Sequence, residues 1–142
     1  MKALYLESSA VVVWLLGEPP AADVIRAMSE AEVRVTSQLT LVEIERVIRR
    51  AVASRLITEA SAQKLRGLLA RHRKQWITMA LTDSVLARAG SAFPIEPVRT
   101  LDAIHLATAM AFSEAYPELE MLTFDRRISD NATALGLGLV SA

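Results

Sequence analysis

The sequence contains no cysteine, few aromatic residues and no excess of charge of either sign. With no Cys among its 142 residues, thiolate-based zinc or haem sites and disulfides are excluded. Sixteen basic residues balance sixteen acidic ones, so any surface that attracts a polyanion must be local. An apolar stretch at 10–16 is far shorter than the roughly 18 residues that a membrane-spanning helix needs. We therefore expect a soluble, cytoplasmic protein with no membrane association.

The chain has the size and composition of one ordinary domain. Hydrophobic residues make up 52% of it, and a domain of about 150 residues buries roughly 68–70% of its unfolded surface. No low-complexity tract, long linker or fixed-period repeat divides it, and its five Gly and five Pro fall singly or in pairs. The sequence predicts a single domain over residues 1–142.

Short apolar runs alternate with longer segments of helical periodicity. The runs are typical of strands buried on both faces and lie at Ala3–Leu6, Val33–Thr36, Trp76–Leu81, Met121–Phe124 and Leu137–Val140. Helices are predicted at Ala21–Ser29, Thr40–Ser54, Glu59–Lys74, Thr82–Ala92, Leu101–Ala115 and Arg126–Leu135, with Gly136 ending the last. This alternation favours an α/β fold with a mainly parallel sheet, in which ligands bind outside the carboxyl ends of the strands.

Carboxylates stand where such a site is expected. Glu7 directly follows the first predicted strand, and Asp125 directly follows the fourth. Glu43 and Asp102 lie near the starts of predicted helices, in otherwise apolar surroundings. The alternation of strands and helices allows all four to converge at one edge of the sheet.

Each acid also has a purely structural explanation. Acidic side chains are favoured near helix N-termini because they cap free amides and complement the helix dipole. Thr40 and Glu43 match a capping box, Thr100 is placed to cap the helix of Asp102, and Asp125 is placed to cap the helix that follows it. Singly, none of these residues distinguishes a structural from a functional role.

Together, converging carboxylates require a counter-charge, because they repel one another in a partly dry pocket. Mg²⁺ prefers oxygen ligands and is often held by one or two carboxylates with several waters retained. Such an ion acidifies a bound water and stabilises charge on a phosphodiester. The cluster therefore indicates a metal-dependent phosphodiesterase.

These acids also carry a resemblance to a known family. The chain resembles the PIN-domain ribonucleases, and among them the VapC-like toxins of bacterial toxin–antitoxin pairs. The resemblance spans the whole chain and depends on four blocks: Leu4-Tyr-Leu-Glu-Ser-Ser-Ala10, Thr36-Ser-Gln-Leu-Thr-Leu-Val-Glu43, Leu101-Asp-Ala-Ile-His-Leu-Ala-Thr-Ala109 and Leu122-Thr-Phe-Asp-Arg-Arg127. The last two blocks are the most specific.

The resemblance implies a three-layer α/β/α fold, an Mg²⁺ or Mn²⁺ site, endoribonuclease activity on RNA, homodimers and a cognate antitoxin that covers the active-site groove. By position, Glu43, Asp102 and Asp125 match the acids of the family. Glu7 departs from the pattern, because the family usually has Asp there. Since Mg²⁺ tolerates poor octahedral geometry badly, three interpretations remain open: an active variant with a shifted metal, a weaker enzyme, or an inactive PIN fold.

Further residues surround these acids. Ser9 and Thr123 are candidates to orient a carboxylate or a metal-bound water, although Ser9 is equally placed to cap a helix. His105 is interpreted as a packed or hydrogen-bonded histidine, since a metal-activated water reduces the need for a side-chain base. Arg126 and Arg127 are candidates to bind phosphate, or else solvated surface charges.

Two other functions compete with a nuclease. One is a catalytically weakened or inactive module that keeps the fold and binds an antitoxin or RNA. The other is a phosphoacceptor receiver domain, whose family uses a Lys at the end of a late strand. The only lysines are Lys2, Lys64 and Lys74, and none ends a predicted late strand. Trp14, in an apolar helix, and Trp76, in a predicted strand, are interpreted as core or interface residues.

Overall fold

The structure, a computed structural model, describes residues 1–140, so residues 141 and 142 of the predicted domain lie outside it. The described residues form five strands: β1 (Ala3–Leu6), β2 (Val33–Ser37), β3 (Ile77–Met79), β4 (Glu120–Leu122) and β5 (Gly138–Leu139). They also form seven helices: α1 (Ser8–Leu16), α2 (Ala21–Glu30), α3 (Gln38–Ala53), α4 (Glu59–Arg73), α5 (Asp83–Ala89), α6 (Thr100–Ala115) and α7 (Arg126–Ala134).

The strands form one parallel sheet in the order β3-β2-β1-β4-β5. The chain runs from β1 outward through β2 to β3 and then returns to place β4 on the other side of β1. The strand order therefore reverses between β1 and β4. In open α/β sheets this switch point is where ligands bind, at the carboxyl ends of the strands.

Helices cover both faces of the sheet. Leu4 and Leu6 point into an apolar cluster with residues of α1 to α4, whereas Ala3 and Tyr5 point into a second cluster with residues of α6 and α7. All four side chains are at most 1% exposed. A central strand buried on both faces needs a continuous apolar run, which is why β1 was recognisable in the sequence. The predicted three-layer α/β/α architecture is confirmed.

Strands β3, β4 and β5 are shorter than the apolar runs that predicted them. Trp76 precedes β3 rather than lying in it, and it is buried against Trp14 with ring centroids 6.0 Å apart. Ile77, at the sheet edge, is 45% exposed, so β3 is not buried on both faces. β4 ends at Leu122. Thr123 consequently lies beyond the strand, where its side chain is available to the site.

Three predicted helix caps are wrong, and one helix end is confirmed. Helix α3 begins two residues early because the hydroxyl of Ser37 accepts a hydrogen bond from the amide of Leu39, so Thr40 is not the cap. Arg99, without a side-chain capping bond, stands at the cap of α6 in place of Thr100. The cap of α1 is Glu7 rather than Ser9. Gly136 has a φ of 82° just past α7, a conformation that glycine adopts freely.

None of the described helices is both long and apolar enough to cross a membrane.

Candidate active site

Glu7 lies at the switch point, directly after β1. Its backbone amide donates to the carbonyl of Leu122, which ties the end of β1 to the end of β4. The residue is 4% exposed. A buried carboxylate is costly unless its oxygens accept hydrogen bonds, so its partners determine whether this position is tolerable.

Both oxygens of Glu7 are held by hydrogen bonds. Oε1 accepts from the hydroxyls of Ser9 at 2.5 Å and Thr123 at 2.6 Å. Oε2 accepts from the amide of Ser9 at 3.1 Å. The Thr123 hydroxyl in turn accepts from the amide of Asp125 at 3.0 Å. The two hydroxyl residues singled out in the sequence thus join Glu7 to the start of α7.

Asp125 and Asp102 stand at the starts of two helices beside Glu7. Asp125 Oδ1 accepts from the amides of Arg127 and Ile128 at 2.9 and 3.2 Å, so the predicted capping role is confirmed. Asp102 lies in the first turn of α6. Burial raises the pKa of Asp102, and the negative charges of Asp125 and Glu7 raise it further. These three acids therefore share one electrostatic environment.

Glu43 lies in the second turn of α3 and half-faces solvent, with its side chain 24% exposed. Its Oε1 is 2.6 Å from Nε2 of His105 and also accepts from the hydroxyl of Ser8. Burial pushes its pKa up, but hydrogen bonds from His105 and Ser8 outweigh it, so the pKa is lowered. His105 Nε2 is also 4.0 Å from Glu7 Oε2, which places His105 between the two glutamates.

The interpretation of His105 as a hydrogen-bonded histidine is confirmed, but its partners were not predicted. They are Glu43, the Ser8 hydroxyl at 2.9 Å and the Tyr5 hydroxyl at 2.8 Å. Tyr5 and Ser8 read as strand and helix residues in the sequence, and nothing marked them as polar partners of a residue about one hundred positions away. A Tyr hydroxyl inside a strand buried on both faces needs a polar partner, and this was the one available clue.

Three arginines lie near the acids. Arg126 and Arg127 are exposed in the first turn of α7. The arginine whose charge lowers the pKa of Asp102 is a different one, Arg99, at the cap of α6. Sequence reasoning did not single out Arg99, although its position three residues before Asp102 was visible.

The donor set suits a hydrated hard cation. Among residues 1–140, no three His, Asp or Glu side chains are gathered closely enough to enclose an ion. Mg²⁺ and similar ions need no such cage, because they keep several waters and commonly take one or two carboxylates. The repulsion that Glu7 and Asp125 impose on Asp102 is what a divalent cation relieves. The oxygen donors present therefore fit such an ion.

Comparison with known proteins identifies the family. Residues 4–134 match the family described as the PIN domain. The chain belongs to the PIN domain family. The resemblance seen in the four sequence blocks is confirmed, and membership of this nuclease family implies the use of a divalent metal ion.

Two curated relatives of this PIN domain come from Mycobacterium tuberculosis. Ribonuclease VapC35 is 32% identical over 140 residues, which cover 97% of this chain and 96% of that protein. Ribonuclease VapC46 is 33% identical over 141 residues, which cover 99% and 98%. Both align along nearly their whole length, so the similarity extends well beyond the four acids.

Solved structures share the fold at lower identity. The Mycobacterium tuberculosis toxin VapC20, described as cleaving the sarcin–ricin loop, superposes with a TM-score of 0.68 and 15% identity, covering 98% of this chain and 99% of that one. FitAcB from Neisseria gonorrhoeae gives a TM-score of 0.69 and 15% identity, covering 97% and 96%. At this identity the likeness establishes the PIN fold alone.

Proposed function

We propose that this PIN domain is a metal-dependent endoribonuclease that hydrolyses RNA phosphodiester bonds and acts as the toxin of a toxin–antitoxin pair. The observation that carries the proposal is the electrostatic coupling of Glu7, Asp102 and Asp125 at the switch point of a PIN domain. The two relatives named as ribonucleases support it, because they align along nearly the whole chain.

The proposed metal ligands are Glu7, Asp102, Asp125 and Glu43, with Mg²⁺ or Mn²⁺ as the ion. A divalent cation bound there would lower the pKa of a bound water and stabilise charge on the phosphate oxygens. The side chains around the ion would orient its ligands. Ser9 and Thr123 hold the Glu7 carboxylate in place, so the longer Glu is fixed by its own hydrogen bonds. We propose that a carboxylate held in this way serves as a metal ligand.

Substrate contact is proposed for the arginines. The exposed guanidinium groups of Arg126 and Arg127 follow Asp125, and Arg99 precedes Asp102. Guanidinium groups bind phosphate oxygens in a bidentate manner, and this suits an RNA backbone that approaches an acidic centre. These residues would supply local positive charge for RNA binding, although the net charge of the whole chain is zero.

An antitoxin and a second copy of the chain are the proposed protein partners. Structures with this fold include a toxin–antitoxin complex from Klebsiella pneumoniae, with a TM-score of 0.64. Exposed apolar side chains next to the acids support a covering partner: Val42, Leu101 and Phe124 are 60%, 47% and 38% exposed, and each neighbours one of the proposed ligands.

A catalytically inactive binding module is the second candidate, and one observation favours it. The carboxylate of Glu7 already caps α1 and accepts three hydrogen bonds, which is sufficient to explain its presence structurally. Such a module would bind RNA or antitoxin without cleaving.

RNA cleavage distinguishes the two candidates. Purified protein is incubated with mixed RNA in Mg²⁺, in Mn²⁺ and in chelator, alongside Asp102→Asn. Asp130→Asn, which alters an exposed acid of α7, is the matched control. We expect cleavage that needs metal, is abolished in Asp102→Asn and persists in Asp130→Asn. Equal cleavage by wild type and Asp102→Asn would refute the nuclease assignment.

A further inference from the structure

His105 is a buried polar side chain beside the site. It is 1% exposed, yet each ring nitrogen has a polar partner. Nδ1 contacts the hydroxyl of Tyr5, which is itself fully buried in β1. Nε2 contacts Glu43, on α3. The ring therefore connects the centre of the sheet to a half-exposed carboxylate.

The direction of these hydrogen bonds follows from the partners. A carboxylate oxygen accepts, so the Nε2–H group of His105 donates to Glu43 Oε1 at 2.6 Å. The Tyr5 hydroxyl is bonded to Nδ1 at 2.8 Å, on the opposite side of the ring. The two contacts together fix the orientation of the ring and direct Nε2–H at Glu43.

We propose that His105 is a positioning residue that fixes the Glu43 carboxylate at the edge of the acid cluster, with the buried Tyr5 hydroxyl as its anchor. The proposal rests on the proposed function, because it assigns Glu43 a role in that site. It differs from a packing role, since packing alone does not require two aligned polar partners. It also differs from general-base catalysis, since both ring nitrogens are occupied and the ring has no access to substrate.

Residues that orient metal-site carboxylates and histidines affect metal affinity and turnover although they touch neither metal nor substrate. Removing the ring nitrogens in His105→Leu should lower both Mn²⁺ affinity and kcat by about 10–100-fold, with KM for RNA unchanged. His105→Gln keeps an N–H near the position of Nε2 and should recover most of the loss. Tyr5→Phe removes only the anchor and should give a smaller loss of the same kind.

The experiment measures Mn²⁺ binding by calorimetry, RNA cleavage kinetics and thermal unfolding for the full chain and these variants. Ile48→Val is the matched control, because it shortens a 1% exposed residue of the helix that carries Glu43, within the apolar cluster of Leu4 and Leu6. We expect this control to lower Tm and to leave Mn²⁺ affinity and kcat at their wild-type values. Since His105→Leu removes a buried polar residue, His105→Gln and Tyr5→Phe provide the test if it fails to fold.

Wild-type Mn²⁺ affinity and kcat in His105→Leu would overturn the assignment, as would losses of equal size in Ile48→Val or losses that Gln does not relieve. So would unchanged Mn²⁺ binding in Glu43→Gln. If the wild type binds Mn²⁺ and cleaves RNA, these outcomes overturn the role of His105 but not the proposed nuclease function. A wild type that neither binds Mn²⁺ nor cleaves RNA overturns the proposed function, and the role of His105 with it.

Discussion

Replacing Thr123 by valine tests how the protein holds Glu7. The substitution keeps the β-branched shape and removes one hydroxyl, which donates to Glu7 Oε1 at 2.6 Å and accepts from the amide of Asp125 at 3.0 Å. A hydrogen bond to a charged group contributes about 1.5–3 kcal/mol, and a neutral one about 0.5–1.5 kcal/mol. Thr123 is half-buried, so water replaces part of both bonds. We expect a loss of about 2 kcal/mol, from the low end of each range.

For a chain of this size, a loss of about 2 kcal/mol lowers Tm by roughly 6–8 °C. The assay is thermal unfolding followed by circular dichroism in buffer containing chelator, so that no ion stabilises the site. Thr133→Val is the control, because it makes the same chemical change at an exposed position of α7. Exposed substitutions of this kind change stability by less than about 0.5 kcal/mol. A Tm for Thr123→Val within the range of the control would show that this hydroxyl does not stabilise the buried Glu7 carboxylate.

Three further predictions concern Glu43, Glu7 and Asn131. Because the folded protein lowers the pKa of Glu43, its ionised form contributes stability above the unfolded pKa that is lost as pH falls through the folded pKa. Unfolding curves should therefore show Glu43→Gln less stable than wild type at neutral pH, with the difference disappearing in acid. Glu7→Asp should lose the hydrogen bond from Thr123, which lowers the free energy of unfolding by about 1.5 kcal/mol. Denaturant titration measures this change, and an unchanged free energy of unfolding would contradict the prediction. Asn131→Ala removes two hydrogen bonds to the backbone of Ile95 and should lower the free energy of unfolding by about 1–3 kcal/mol in the same titration; an unchanged midpoint would contradict this.

The fold could be predicted largely because its central strands are buried on both faces. The apolar run of β1 has no other simple explanation, and the alternating helices then require parallel pairing. The ends of elements were harder to predict. Thr123 and Phe124 continue an apolar run, but the ladder with β1 ends at Leu122. An apolar run does not show where the pairing with a neighbouring strand ends.

The acids were predictable for a related reason, whereas their partners were not. Glu7 and Asp125 follow strands, so the topology brings them to one edge whatever the loops do. The contact between Glu43 and His105 joins two residues 62 positions apart, and it depends on how α3 and α6 are placed relative to each other. Local sequence carries no signal for that placement. Helix caps were also mispredicted from local sequence. Ser37 and Thr40 are both suitable capping residues, and Ser37, at the end of β2, is the one that caps α3.

Thermal unfolding of wild type and Asp102→Asn, each in chelator and in Mn²⁺, measures directly whether the coupled acids bind a divalent cation. Because the pKa of Asp102 is raised, its ionised form weakens the metal-free fold at pH 7, and the penalty disappears below the ordinary pKa of Asp. In chelator the variant should therefore melt above wild type.

Saturating Mn²⁺ should reverse this order. An ion at 100 times its dissociation constant stabilises the folded state by about 2.7 kcal/mol. For this chain, that is roughly 8–10 °C in the wild type. The variant should gain much less. The order of the two melting temperatures is therefore expected to reverse between chelator and Mn²⁺. Equal stabilisation of both proteins by Mn²⁺, or none in the wild type, would contradict the proposed metal site.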